Sequence, residues 1–222
     1  MKIGYKPYFI FLVVTSFFLQ SCSDEPVVPN TRGVYMLMDT SGTYTKELRQ
    51  AQKVINYILS QLGPGDSFAV ARVDTGSFSE KDIVAKVTFQ DRPSATNQQK
   101  RVFREQIDKF VKTVKGSAYT DITGGILQGI EFLNEAETGH NTILIFSDLK
   151  EELRKGYKRD IPLSLNQYSV VALNVTKLRS DNVDPKEYLD RLANWRSKVE
   201  SGGGKWRVIN DMARLEKILK QP

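Results

Sequence analysis

The sequence predicts an α/β protein with a doubly wound, mostly parallel central sheet and helices on both faces. Short apolar stretches typical of buried strands alternate along the chain with amphipathic stretches typical of helices. The 222 residues are 40% hydrophobic and 26% charged, which is ordinary for a globular protein and excludes wholesale disorder. No period of roughly 20 to 50 residues recurs, so a solenoid or a propeller is excluded.

The clearest strands are two continuous apolar runs, residues 33–38 and 142–146, each followed closely by an aspartate. Uninterrupted runs of this kind are typical of strands that are buried on both faces of a parallel sheet. Further strands are predicted at residues 67–73, 82–89, 168–175 and 206–209. The segment between the second and third strands is too short for a crossover helix, so the third strand is expected to be an antiparallel edge strand.

The helices are predicted from apolar residues that recur at intervals of three and four. They are expected at residues 44–62, 97–114, 122–133, 185–199 and 211–219. Gly63-Pro64-Gly65 ends the first helix, and Asp184 is expected to be the N-cap of the fourth.

Only one histidine and one cysteine occur in the chain. A disulfide framework and a structural zinc site are therefore excluded, and the Ser-His and Cys-His hydrolase mechanisms are poorly supported. The chemistry that remains uses carboxylates, hydroxyls and the hard metal ions that such oxygens bind.

The amino-terminal residues have the pattern of an export signal. Lys2 and Lys6 precede an apolar stretch at residues 8–19, which is short for a membrane span and is followed by Leu19-Gln20-Ser21-Cys22. This segment resembles a bacterial lipoprotein signal, apart from Gln20, where a small residue is usual. The resemblance implies cleavage before Cys22, lipidation of that cysteine, and a place in the bacterial cell envelope, in the outer membrane if the cell has one. A plain secretory signal or an uncleaved anchor is the alternative.

These boundaries give a signal peptide at residues 1–21, a lipidated, flexible tether at 22–31, and one domain at 32–222. Loss of Lys2 and Lys6 lowers the formal charge from +6 to +4. A charge this mild does not indicate a nucleic-acid partner, and membrane attachment is expected through the acyl chains.

Oxygen-bearing side chains follow the strand ends in a recognisable order. Asp39, Ser41 and Thr43 follow the first strand, Thr120 lies in a later loop, and Asp148 follows the strand at 142–146. This order resembles the metal-ion-dependent adhesion site of the von Willebrand factor A domain. Thr43 replaces the usual serine but keeps its hydroxyl. The resemblance implies that Ser41 and Thr43 bind the metal directly, that Thr120 does so when a ligand is bound, and that Asp39 and Asp148 act through water or hydrogen bonds.

The resemblance also implies what the site binds. Mg²⁺ is the expected ion, and Mn²⁺ or Ca²⁺ also accept oxygen ligands. The remaining coordination position would take an Asp or Glu carboxylate of a protein partner, so the chain is expected to bind rather than to catalyse. Leu149 stands where the family commonly has glycine, which leaves open a scaffold lipoprotein with a degenerate, metal-free site.

Two enzyme classes remain as remote alternatives. Asp74-Thr75-Gly76-Ser77 spells an aspartic-protease motif, but such enzymes need a second aspartate from a second lobe or copy. A haloacid-dehalogenase-like phosphatase needs an acid two residues after Asp39, where Ser41 stands.

Other features have simpler interpretations. Asp121 is expected to cap a helix or to support a neighbouring ligand, and not to bind the metal itself. Trp195 and Trp206 are expected to pack, and the charged stretch 150–160, with Glu151 and Glu152, to be a solvated face.

Overall fold

The computed structural model describes residues 29–42, 47–74, 79–211 and 214–217. Six strands within these residues form one sheet, in the order β3-β2-β1-β4-β5-β6. Their bounds are β1 (Arg32–Asp39), β2 (Ser67–Val73), β3 (Ile83–Thr88), β4 (His140–Phe146), β5 (Tyr168–Leu173) and β6 (Lys205–Ile209). Every neighbouring pair is parallel except β2 and β3. The predicted antiparallel edge strand is confirmed.

Four longer helices lie between the strands in the described residues. They are α1 (Leu48–Gln61), α2 (Pro93–Thr113), α3 (Ile122–Glu135) and α4 (Pro185–Ser201), and two short 3-10 turns occupy Glu80–Asp82 and Ser180–Asn182. α2 begins four residues earlier than the prediction of 97–114, because Pro93 occupies its first turn, where the missing N–H costs no hydrogen bond. Residues 214–217 are helical, while 212–213 and 218–219 of the predicted last helix lie outside the described residues.

The sheet is buried on both faces. Along β1, Val34, Met36 and Met38 pack with α1 and α2, while Tyr35 and Leu37 pack with α3 and α4. Because successive side chains of a strand point to opposite faces, this uninterrupted apolar run fills both cores at once. The predicted doubly wound architecture is therefore confirmed.

α3 lies unusually close to β1 because its glycines face that strand. A Cβ added at Gly125 would lie 2.6 Å from a methyl carbon of Leu37, and one at Gly129 would lie 2.6 Å from the ring of Tyr35. Side chains at these two positions would push the helix away from the sheet. The close approach fixes where α3 begins, beside the carboxyl end of β1.

The described residues include no helix with both the length and the apolar character that crossing a bilayer requires. The predicted signal peptide, Cys22 and most of the tether fall within residues 1–28, outside the described part of the chain.

Candidate metal centre

Two buried aspartates lie at the carboxyl ends of the central strands. Asp39 ends β1, and Asp148 follows β4 by two residues. The strands pair in parallel with Met38 opposite Phe146, so both carboxylates lie at the same edge of the sheet. They are only 1% and 4% exposed. Between β1 and β4 the order of strands reverses, which is where open α/β sheets commonly bind ligands.

Asp39 organises the turn that follows β1. One of its carboxylate oxygens accepts a hydrogen bond from the Ser41 N–H at 2.8 Å, and the other accepts one from the Ser147 hydroxyl at 2.6 Å. Ser41 lies half-buried, two residues beyond the end of the strand. Thr43, the remaining predicted ligand of this turn, lies outside the described residues.

The loop that carries Thr120 is joined to both strand ends. Thr120 is 2% exposed, and its N–H and carbonyl form hydrogen bonds of 2.8 and 2.9 Å with the backbone of Glu152, beyond β4. On the other side, the Ser117 N–H donates to the Thr40 carbonyl at 2.8 Å, beyond β1. Four of the five predicted metal-site residues therefore lie at one edge, in three loops that are hydrogen-bonded to one another.

The electrostatic environment of Asp148 favours a nearby cation. Burial raises the pKa of this carboxyl, and the negative charge of Asp39 raises it further. The Lys150 N–H, which donates to the carboxylate at 2.9 Å, and the positive charges of Arg191 and Lys150 lower the pKa. A divalent cation held near the two carboxylates would offset both the burial and the repulsion. The donor set of carboxylates and hydroxyls consists of the hard oxygens that Mg²⁺, Mn²⁺ and Ca²⁺ prefer, so the residues fit such an ion.

The described residues contain no group of three or more His, Cys, Asp or Glu side chains placed to hold a metal ion. The predicted site has only two such side chains, Asp39 and Asp148. Its remaining predicted ligands are hydroxyls.

α4 holds the backbone after β4 from the side. The guanidinium of Arg191 donates to the carbonyl of Asp148 and the Trp195 indole N–H to that of Leu149, each at 2.9 Å. Arg191 is itself held by the buried carboxylate of Asp181 at 2.8 and 3.1 Å. Leu149 adopts a left-handed conformation, with φ of +67°, and its side chain is 1% exposed.

Sequence reasoning missed several residues of this edge. Ser147, whose hydroxyl donates to Asp39, lies between the predicted strand at 142–146 and the predicted site residue Asp148. Its position next to Asp148 was therefore a signal that the sequence offered. Arg191 gave no sequence signal, since it contacts Asp148 from 43 residues away. Trp195 was predicted only to pack; it does pack, at 6% exposed, and it also holds the loop.

Two of the simpler interpretations have different outcomes. Asp121 is the N-cap of α3 and accepts from the Gly124 N–H at 2.8 Å, so the predicted cap is confirmed. The prediction that Glu151 belongs to a solvated face is wrong: its carboxylate accepts from the Thr123 N–H at 2.7 Å, satisfying a first-turn donor of α3. Glu152 is half exposed and pairs with Lys150.

Comparison with known proteins places the fold. No family model matches the chain. Two curated relatives are inter-alpha-trypsin inhibitor heavy chains: H3 of Rattus norvegicus is 27% identical over 131 residues, and H1 of Bos taurus is 24% identical over 141 residues. These alignments cover 58% and 60% of this chain but only 13% and 14% of the relatives, so the chain spans a small part of their length.

Two solved structures resemble most of this chain in fold. A von Willebrand factor type A protein from Catenulispora acidiphila has a TM-score of 0.50 and 15% identity, covering 86% of this chain and 41% of its own. The pilus adhesin SpaC from Lactobacillus rhamnosus GG, in its open conformation, has a TM-score of 0.54 and 11% identity, covering 88% and 29%.

The chain has the fold of a von Willebrand factor A domain. The resemblance noted from the residues is confirmed at the level of the fold, with its six-stranded, mostly parallel sheet.

Proposed function

We propose that the protein is a membrane-anchored lipoprotein whose von Willebrand factor A-like domain binds a divalent metal ion and, through it, an acidic group of a protein partner. The observation that carries this proposal is the pair of buried carboxylates, Asp39 and Asp148, on adjacent parallel strands where the strand order reverses. Without a cation, two such groups at one edge would repel each other in a poorly solvated place.

The proposed ligands have separate tasks. Ser41, Thr43 and, with a partner present, Thr120 would contact the ion directly, while Asp39 and Asp148 would hold its water molecules. Such neutral direct ligands leave much of the ion's charge uncompensated, which supplies the attraction for a partner's Asp or Glu. Mg²⁺ is the ion we favour, with Mn²⁺ and Ca²⁺ as alternatives.

The likeness to a pilus adhesin agrees with a role in protein interaction or adhesion at the cell envelope. We propose the lipid at Cys22 as the attachment to the membrane, and the segment up to residue 31 as its tether. Neither a nucleic acid nor a catalytic reaction is part of this function.

The fold argues against the aspartic-protease alternative. That chemistry needs two aspartates that share one proton across two mostly β lobes, whereas Asp74 leaves β2 of an α/β sheet. The carboxylate of Asp74 accepts a hydrogen bond from the Ser117 hydroxyl at 2.5 Å and lies 3.5 Å from the Arg72 guanidinium. These two contacts are typical of a structural role.

A metal-free scaffold remains the second candidate, and one observation favours it. Leu149 is held in the left-handed region directly after Asp148, where glycine would be free of strain. A buried leucine at this position indicates that the loop is held by side-chain packing, which a metal-free site would also allow.

Thermal unfolding of the full-length protein in detergent tests the proposal. After EDTA treatment, Mg²⁺ or Mn²⁺ at about 100 times the dissociation constant should stabilise the fold by about 2.7 kcal/mol, which raises the Tm by roughly 5–10 °C. Asp39→Asn and Asp148→Asn should each abolish this rise. Asparagine is a conservative choice at position 39, because the Ser147 hydroxyl can donate to it or accept from it.

Asp66→Asn is the matched control. Asp66 is also buried, at 5% exposed, but it lies at the amino-terminal end of β2 and pairs with Arg32. This variant should begin from a lower Tm and still show the full metal-induced rise. A wild-type Tm unchanged by several millimolar metal would favour the metal-free scaffold.

A further inference from the structure

The connection between β4 and β5 carries a turn that is rich in positive charge, residues 154–158, which we call the basic turn. Arg154, Lys155 and Lys158 are exposed, and none of them forms an ion pair with any carboxylate in the described part of the chain. The neighbouring cations are paired, Lys150 with Glu152 and Arg159 with Asp121. Three positive charges are thus left available at the surface.

The basic turn has a defined shape. The Tyr157 N–H donates to the Arg154 carbonyl at 2.9 Å, and Gly156 adopts φ of +89°, a conformation that glycine takes without strain. A closed turn presents its side chains in a narrower range of positions than a free loop does. Less conformational entropy is therefore lost when a partner binds there.

Both sides of the basic turn are attached to the candidate metal centre. Before it, the backbone of Glu152 is hydrogen-bonded twice to Thr120; after it, Arg159 donates to Asp121, the residue following Thr120, at 2.8 Å. Arg154 is two residues from Glu152, so their Cα atoms are at most ~7 Å apart, and the basic turn begins close to the loop that carries Thr120.

Apolar surface accompanies the charge. Tyr157 is 53% exposed and Ile161 is 43% exposed. The guanidinium of Arg159 lies 5.7 Å from the centroid of the Tyr157 ring, a cation–π contact that steadies the ring. Tyrosine and arginine are among the residues that contribute most to protein interfaces.

We propose that the basic turn is a second contact for the partner, so that the domain recognises an acidic segment in which further Asp or Glu residues flank the metal-bound carboxylate. This inference rests on the proposed metal-dependent function. The metal would bind one carboxylate, the basic turn would attract its acidic neighbours, and Tyr157 would cover the segment's backbone. The domain then selects clustered acidic residues over an isolated one.

Two fluorescent peptides test the selectivity in the presence of Mn²⁺. One carries a single Glu in a Gly/Ser background, and the other carries the same Glu flanked by several Asp residues. The full-length protein in detergent should bind the acidic peptide about tenfold more tightly at low salt, with the difference shrinking as NaCl is raised. EDTA should abolish binding of both peptides.

A charge-matched pair of variants locates the effect. The triple variant Arg154→Gln, Lys155→Gln, Lys158→Gln should remove the preference for the acidic peptide. The control Arg101→Gln, Arg104→Gln, Lys205→Gln removes the same net charge from exposed positions on α2 and at the start of β6, and should keep the preference.

Each other outcome overturns the inference. Equal loss in both triple variants would assign the preference to net charge, and acidic-peptide binding that survives EDTA would make the basic turn independent of the metal. Binding of phosphatidylserine vesicles through the same three residues, without peptide selectivity, would assign the turn to lipid. The metal-induced Tm rise is measured on the same samples: a rise without selectivity overturns only this inference, and no rise overturns the proposed function.

Discussion

At the scale of single residues, two left-handed backbone positions show how strain and packing compete. Leu149 and Gln167 both have left-handed backbones, with φ of +67° and +69°. This conformation costs a residue with a Cβ about 1–2 kcal/mol. Leu149 is fully buried, so its packing offsets the strain, whereas the exposed Gln167 has no such compensation.

Opposite effects of glycine are therefore expected at the two positions. Leu149→Gly should lower the free energy of unfolding by about 1–3 kcal/mol, because a lost buried leucine costs about 2–5 kcal/mol and outweighs the relief of strain. Gln167→Gly should raise it by about 0.5 kcal/mol, after the larger entropy of glycine in the unfolded chain is subtracted. Urea unfolding measures both. A stabilised Leu149→Gly would show that backbone strain outweighs packing in the loop after β4.

At the scale of the element, α4 fixes the loop of Asp148 and Leu149, beside the candidate metal centre, as well as covering the sheet. Its Arg191 and Trp195 hold two successive carbonyls, those of Asp148 and Leu149, and its N-cap Asp184 accepts from the Lys186 N–H at 3.0 Å. The predicted cap is confirmed. Helix stability and loop position can be separated, because different residues of α4 provide them.

A substitution that frees the loop and one that only weakens the helix should differ in their effect on the metal-induced rise in Tm. Arg191→Met should destabilise the fold by about 3–5 kcal/mol, because it leaves Asp181 buried without its partner, and should reduce the metal-induced Tm rise. Asp184→Ala should cost about 1 kcal/mol and leave that rise intact. Thermal unfolding with and without Mn²⁺ compares them. Equal metal responses in the two variants would show that α4 does not position the site.

The Asp181–Arg191 pair also predicts a dependence on pH. Hydrogen bonds from Arg191 hold the pKa of Asp181 below its ordinary value, against the effect of burial. A carboxyl with a lowered folded pKa stabilises the fold above its unfolded pKa of about 3.9, and this contribution is lost as the pH falls through the folded value. The stability difference between wild type and Asp181→Asn should therefore be constant near neutrality and shrink below about pH 4.

Chemical denaturation from pH 7 to pH 2.5 measures this difference. Comparison with the variant is necessary because burial raises the pKa of Asp82 and of Asp148, whose protonation favours the folded state as the pH falls. A difference between wild type and variant that grows on acidification would contradict the assignment.

At the scale of the whole molecule, the topology gathers residues from 39 to 195 at one edge of the sheet. Parallel strands place their carboxyl ends together, so the segments that follow β1 and β4 lie at the same edge. Hydrogen bonds join the candidate metal centre there to both flanks of the basic turn and to α4. A partner bound at this edge would lie opposite the edge where β1 begins at Arg32.

The lipid attachment is tested on the full chain expressed in a bacterium. Wild-type protein should incorporate an alkyne-labelled fatty acid and sediment with membranes, since stable anchoring follows from more than one acyl chain. Cys22→Ser should lose both the label and the rapid sedimentation. Labelling that persists in Cys22→Ser would contradict the lipoprotein assignment.

Much of the fold was predictable because its signals are local. The apolar run of β1, the amphipathic period of α1 and the short connection to β3 each follow from neighbouring residues. The ends of elements were less certain: Pro93 begins α2 before its apolar pattern does. The positions of Asp39, Ser41 and Asp148 at one edge also followed from strand ends and parallel order. That of Thr120 followed only from the family resemblance, and the binding of metal by all four stays a prediction.

The sequence by itself determined the order of elements, the parallel sheet and the strand ends that carry oxygen-bearing side chains, because these depend on periodicity and on chain direction. Only the tertiary structure decided which distant side chains support the loops at those strand ends. Arg191 reaches the Asp148 carbonyl, and Arg159 reaches Asp121 across 38 residues. Such contacts arise from the packing of helices and loops against the finished sheet. No local pattern encodes a distance between residues that meet only after folding.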